Sequence, residues 1–168
     1  MWPVSLVPFK GVAPGLVIQL AQDLNDLGFA ATVSAPVEIP TASFNAHRRQ
    51  YQAEAFLAAL HDSSRERVLG LTDLDLYVEP MNFVFGLAEK PGRAAVIALA
   101  RLHVGKDAKV FRERILKEAV HELGHTFGLA HCPDPNCVMH FSNSLRDTDQ
   151  KSAYFCTRCL SKLPPPQA

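Results

Sequence analysis

The chain has 168 residues, with 17 basic and 17 acidic side chains and 48% hydrophobic residues, a composition that suits a single domain over residues 1–168. A formal net charge of zero supplies no basic face for nucleic acid or a membrane surface. The longest apolar run, Ala94 to Ala100, is far short of the roughly 20 residues of a membrane helix, and the N-terminus lacks a signal peptide's early charge, long apolar segment and small-residue cleavage site, so a soluble cytoplasmic protein is expected.

Val4 to Phe9 reads as a short strand, and from Pro14 the apolar residues Leu16, Val17, Leu20, Ala21, Leu24 and Leu27 recur at helical spacing up to Gly28. A second strand is predicted from Phe29 to Ile39, and then a helix from about Ala46 to His61 with Tyr51, Ala55, Phe56, Ala59 and Leu60 on its inner side. Val68 to Leu71, Asn82 to Ala88 and Ala94 to Leu102 follow as three more strands, separated by turn signals at Glu79-Pro80 and Lys90-Pro91-Gly92. From Asp107 to Phe127 the spacing of Val110, Phe111, Ile115, Leu116, Ala119, Val120, Leu123 and Phe127 predicts a helix, ended by a left-handed Gly128. Beyond it the composition turns to Cys, Pro, Asn and Asp without periodicity, and Pro164 to Pro166 is expected to fray. The first half therefore reads as α/β.

Inside the last helix stands His121-Glu122-Leu123-Gly124-His125, which places two imidazoles four residues apart on one helical face, where both can grip one metal ion. A reversal at Gly128 can return His131 as a third neutral nitrogen ligand, leaving the fourth position open. An open position is what a catalytic zinc requires, because the ion lowers the pKa of a water held there to about 7. Glu122, beside the first ligand, is placed to accept that water's proton during attack on a carbonyl and to pass it to the departing amine. The alternative is a zinc-stabilised module that holds a peptide or protein without cleaving it.

All four cysteines lie from Cys132 onward, so they cannot staple the rest of the chain. Cys132, Cys137, Cys156 and Cys159 form C-x4-C and C-x2-C pairs suited to the four corners of a second, structural zinc site. Two disulfides, a redox pair at Cys156 and Cys159, and an iron-sulfur cluster are the alternatives. A zinc-ribbon nucleic-acid module is disfavoured by the absence of a basic stripe around the cysteines. Because Cys132 follows His131, folding of the second site should fix the third ligand of the first.

The run HELGHTFGLAH, with Cys132, Cys137, Met139, Cys156 and Cys159 after it, resembles the archaemetzincins, a branch of the metzincin zinc metallopeptidases. Upstream, Arg49-Gln50-Tyr51, Leu69-Gly70-Leu71-Thr72 and Asn82-Phe83-Val84-Phe85-Gly86 also look like family segments. The resemblance implies His121, His125 and His131 as catalytic zinc ligands, Glu122 as general base and acid, Met139 as the Met-turn residue under the site, and the four cysteines as a structural zinc site. It further implies a metzincin-like α/β (α+β) fold. Residues 1–128 would form an upper subdomain, with a twisted mixed five-stranded sheet and the active-site helix. Residues 129–168 would form a small irregular lower subdomain. The segment from Asn82 to Ala88 would be an antiparallel edge strand, able to pair with an extended peptide. Phe141 stands two residues after Met139, where some relatives carry a tyrosine. The expected partner is a peptide or protein substrate met by a monomer, with no nucleic acid and no membrane. His140, His47, His61 and His103 read as structural or surface histidines, and Lys117 and Glu118 as a solvated helix face or a local ion pair. Asp73, Asp75 and Glu79 are candidates to capture a free amino terminus.

Overall fold

The computed structural model describes residues 1–61, 67–105 and 107–166. Alternation in Trp2–Pro8 (β1) buries Val4 and Leu6 completely and makes this strand the middle of a parallel trio. After β1 the helix Pro14–Asp26 (α1) starts with proline in its first turn and buries Val17, Leu20, Ala21 and Leu24. The strand Phe29–Val33 (β2) then pairs with β1 from Trp2↔Phe29 to Leu6↔Val33. The predicted strand to Ile39 stops at Val33, ahead of Pro36, which has no N–H to offer a ladder, and strand pairing returns only as a bridge between Val37 and Phe9.

The predicted helix from Ala46 is the largest departure. After a 3-10 turn at Thr41–Ser43, Phe44–Asn45 (β3) and Gln50–Gln52 (β4) form an antiparallel hairpin, and only Ala53–Ala59 (α2) is helical. The Asn45 side chain accepts the N–H groups of His47 and Arg48, and Arg49 takes a positive φ of 55° at the reversal. Tyr51 and Phe56, placed on one helix face by the sequence, still meet edge to face with centroids 6.0 Å apart, across the strand-to-helix junction.

Arg67–Thr72 (β5), Leu76–Tyr77 (β6), Gly86–Ala88 (β7) and Ala94–Ala98 (β8) complete the sheets. The large sheet has the order β2-β1-β5-β8-β7, with β7 antiparallel at its edge; β3, β4 and β6 form a small second sheet. The predicted strand Asn82 to Ala88 is divided between the two, because Val84 donates to Leu76 while Phe85 accepts from Ala98. All five residues of β8 are buried, as expected of a parallel strand covered on both faces. α1 and the long helix Ala108–Thr126 (α3) pack on one face, within a core cluster that also takes in Cys132, Cys137, Val138, Met139 and Cys159; α2 packs on the other.

α3 begins where expected, with Asp107 Oδ1 accepting the N–H groups of Lys109 (2.8 Å) and Val110 (3.2 Å). It ends at Gly128, whose φ of +93° lets Leu129 N–H reach back to Gly124 O at 3.1 Å. Two short helices arise in the segment without periodicity. Leu145–Gln150 (α4) is opened by a capping box between Ser144 and Asp147, and Thr157–Leu160 (α5) carries Cys159. Arg114 on α3 holds α4 by a bidentate pair to Asp149 at 2.7 and 2.8 Å. The chain is tied down as far as Pro164, contrary to the expected fraying, because the Trp2 indole N–H donates to Pro164 O at 2.9 Å. No helix among the described residues is long and apolar enough to cross a membrane.

Candidate active site

α3 presents His121 and His125 one turn apart, and the reversal at Gly128 returns His131, so the three rings stand with centroids 4.7, 4.9 and 5.4 Å apart. The tautomers follow from their partners. His121 Nδ1 lies 2.7 Å from Val138 O and His125 Nδ1 lies 2.7 Å from Leu129 O. A carbonyl oxygen can only accept, so both Nδ1 atoms carry the proton and both Nε2 atoms present lone pairs. Those two Nε2 atoms face each other at 3.2 Å with no proton between them, an arrangement that calls for a cation. Two ligands at about 2.05 Å from a tetrahedral zinc would stand about 3.3 Å apart, so the donor set fits that ion. Burial lowers the pKa of all three imidazoles, that of His131 to about 4, which keeps them neutral and ready to ligate at neutral pH.

Glu122 lies beside these rings, buried, with no hydrogen bond to the described protein. Burial pushes its carboxyl well above the ordinary range, neighbouring Glu118 pushes it further, and Lys151 opposes the rise. Its place depends on Gly86 in the edge strand, where an added Cβ would lie 2.6 Å from both Cγ and Oε1 of Glu122. The two residues line a cleft of about 600 Å³ together with the three histidines, β7, the approach to it from Val78, and Phe141 to Asn143.

The four cysteines are free of disulfides and converge in a second cluster, with Cys132 Sγ 3.8 Å from Cys156 Sγ. Tetrahedral zinc with sulfur at about 2.3 Å would set thiolates about 3.8 Å apart. Burial pushes up the thiols of Cys137 and Cys159, and neighbouring cysteine sulfurs raise Cys159 further. Burial works the same way on Cys132, but the backbone N–H of Asp134 and the Arg158 guanidinium, 3.2 Å from its sulfur, outweigh it and bring that thiol down to about 7. A cation is what allows the remaining sulfurs to ionise together. The two clusters are joined: Cys132 N–H donates to Met139 O at 2.9 Å and His140 Nδ1 to Cys132 O at 2.9 Å, fixing the residue that follows His131. Met139 is fully buried, with its sulfur against Gly124 on the underside of α3.

The sequence profile of peptidase family M54 matches residues 26–164. The archaemetzincin of Methanopyrus kandleri is 45% identical over an alignment covering 95% of this chain and 94% of its own. The chain belongs to the archaemetzincin family. Its structure is similar to the crystal structure of the archaemetzincin of Archaeoglobus fulgidus complexed with malonate, at a TM-score of 0.88 and 40% identity over 96% of this chain and 99% of that one. A zinc-dependent peptidase from Methanocorpusculum labreanum matches at a TM-score of 0.87 and 28% identity, over 96% of this chain and all of the other. This archaemetzincin is thus a zinc-dependent peptidase with two zinc sites, one made of three histidines and one of four cysteines.

Around the archaemetzincin's cleft, the structure places these residues as follows. Glu118 is buried and, of the two places expected for it, takes an ion pair rather than a solvated face. Its Oε1 meets Lys151 Nζ at 3.1 Å and accepts Thr148 Oγ1 at 3.2 Å, and Lys151 is itself 1% exposed, with Nζ 3.5 Å from His121 Nδ1. Lys117 does face outward, to Asp149 O at 3.0 Å. Arg48 Nη2 donates to Met81 O (2.6 Å) and Asn82 O (3.2 Å), and Gln50 Nε2 to Asn82 O (2.8 Å), so the hairpin props the chain that enters the cleft wall. Asp75 is clasped by Arg101 at 2.7 and 2.8 Å, Glu79 meets Arg48 at 3.6 Å, and neither lines the cleft, nor does Asp73. His61 pairs with Glu89 at 2.7 Å and His103 packs on Phe111 at 4.5 Å; with His47, both lie outside the cleft.

Proposed function

We propose that the enzyme hydrolyses peptide bonds with Glu122 as general base and then general acid. His121, His125 and His131 would hold the catalytic zinc, the cysteine quartet the structural zinc, and Met139 the floor beneath the first site. The observation that carries this reading is the contrast between two carboxylates one turn apart. Glu118 is committed to Lys151 and Thr148, whereas Glu122 has no protein partner among the described residues and lines the cleft beside the histidines. Zinc, when bound, supplies Lewis acidity toward the scissile carbonyl and toward water. The Glu122 carboxylate takes the proton of the attacking water and delivers it to the departing amine nitrogen. Val138 O and Leu129 O hold the first two imidazoles in the tautomer that leaves Nε2 free. The free edge of β7 offers unpaired backbone groups along which an extended substrate can lie as another strand.

The test is hydrolysis of an unfolded protein by the zinc-loaded chain, followed by mass spectrometry. Cleavage should stop when a chelator strips the metal and return with added zinc; binding without cleavage at any zinc level would leave a binding module instead. Gly86→Ala probes the carboxylate's seat. The atoms in the way are the flexible end of Glu122, so the fold can absorb the change, but the base is displaced. We expect kcat to fall by about 10²-fold with zinc content and Tm nearly unchanged. Unimpaired turnover would show that the carboxylate does not work from this position.

A further inference from the structure

The cleft is polarised along its edge strand. Among the described residues that line it, the charged side chains besides the histidines are Lys90, Glu118 and Glu122. With Glu118 neutralised by Lys151 and Glu122 reserved for proton transfer, Lys90 is the remaining charge, exposed and without a carboxylate partner among the described residues. Its backbone is held firmly. Glu89 accepts the N–H groups of Arg93 (2.9 Å) and Ala94 (3.1 Å), Gly92 N–H donates to Thr126 O at 3.1 Å, and Pro91 faces Gly128 at the end of α3. Lys90 is thereby fixed beside the helix end that carries His125, and its charge adds to burial in lowering the pKa of His125 and His131. The rest of the described lining is apolar or neutral and includes Met81, Asn82, Phe83, Phe141 and Ser142.

Direction follows from pairing. β7 runs from Gly86, at Glu122, toward Lys90. A peptide added to its free edge in the antiparallel sense, the more stable per residue, runs the other way, so Lys90 faces the residues that precede the scissile bond. We infer that Lys90 is a specificity-determining residue of an endopeptidase cleft, selecting an aspartate or glutamate within about three residues before the scissile bond. An aminopeptidase needs a carboxylate at that end to receive the α-ammonium of its substrate, and the cleft presents an ammonium there instead. The inference rests on the peptidase reading above and on substrate lying along β7.

Two readouts keep the inference and that reading apart. In a mixture of N-acetylated peptides digested by the zinc-loaded enzyme, mass spectrometry should find acidic residues enriched over basic ones by about fivefold or more before the cleaved bond. Lys90→Glu should reverse the preference, and high salt should shrink it. Fluorescence polarisation of the same peptides on zinc-loaded Glu122→Ala protein should show the same order of affinities without turnover. Cleavage without acidic enrichment, or a preference that survives Lys90→Glu, overturns the role of Lys90. Enrichment after the bond overturns the direction, and stepwise removal of residues from free amino termini overturns the endopeptidase assignment. Charge-selective binding that Lys90→Glu abolishes, with no cleavage by the wild type, supports the inference and removes the peptidase reading; neither cleavage nor charge-selective binding overturns both.

Discussion

Glu122→Gln should lower peptide hydrolysis by about 10³-fold while both zinc sites stay filled, the scale on which a positioned acid and base contributes. The amide keeps the shape of the carboxyl but can neither take nor return a proton. Nothing in the described protein hydrogen-bonds to Glu122, so no partner is orphaned by the change. The zinc-free protein supplies a control with a definite sign. Burial raises the Glu122 pKa in the folded chain, so the unfolded chain releases that proton more readily, and the wild type loses stability as pH rises above the unfolded value of about 4.3. Zinc-free Glu122→Gln should therefore be more stable than zinc-free wild type at neutral pH, with the gain vanishing below about pH 4. Thermal melts at pH 3.5 and 7 measure the gain, and near-wild-type turnover by the variant would remove Glu122 from the mechanism.

Lys151→Met should carry a large stability cost. The side chain is fully enclosed, its ammonium meets Glu118 at 3.1 Å, and its loss leaves a buried carboxylate unpaired between α3 and α4. Breaking such a pair from one side typically costs about 3–5 kcal/mol, which for a chain of this size lowers Tm by roughly 6–20 °C. The double variant Lys151→Met with Glu118→Leu removes both charges and should recover most of the loss, because an apolar pair needs no desolvated partner. Equal destabilisation in the single and double variants would mean that shape, not charge, holds α4 against α3. Zinc titration of the single variant reads the local consequence, since Lys151 Nζ also lies beside the ring of His121.

Legibility from sequence followed the range of the interactions. α3 was readable to within a residue because its apolar spacing, its Asp107 cap and its Gly128 stop are all local. Both ligand sets were readable for the same reason, their spacing being fixed by one helix, one reversal and two short cysteine loops. The hairpin from Phe44 to Gln52 was not, because strands of two and three residues carry no period, and Tyr51 and Phe56 share a side in either reading. Val84 and Phe85 read as one strand although they serve two different sheets, a division that depends on where Leu76 and Ala98 come to lie. Lys151, between Gln150 and Ser152, has the sequence context of a surface residue; only the approach of α4 to Glu118 encloses it. α4 was not read, because in a segment without apolar spacing the Ser144-x-x-Asp147 capping box has no helix face to start.

The most direct measurement is anomalous X-ray diffraction across the zinc edge on crystals of the untreated protein. Two zinc peaks are predicted, one held by His121, His125 and His131 with its fourth position open toward Glu122, and one enclosed by Cys132, Cys137, Cys156 and Cys159. A single peak at the cysteines, with the histidines empty even after added zinc, would contradict the assignment of this cleft as the site of zinc-dependent peptide hydrolysis.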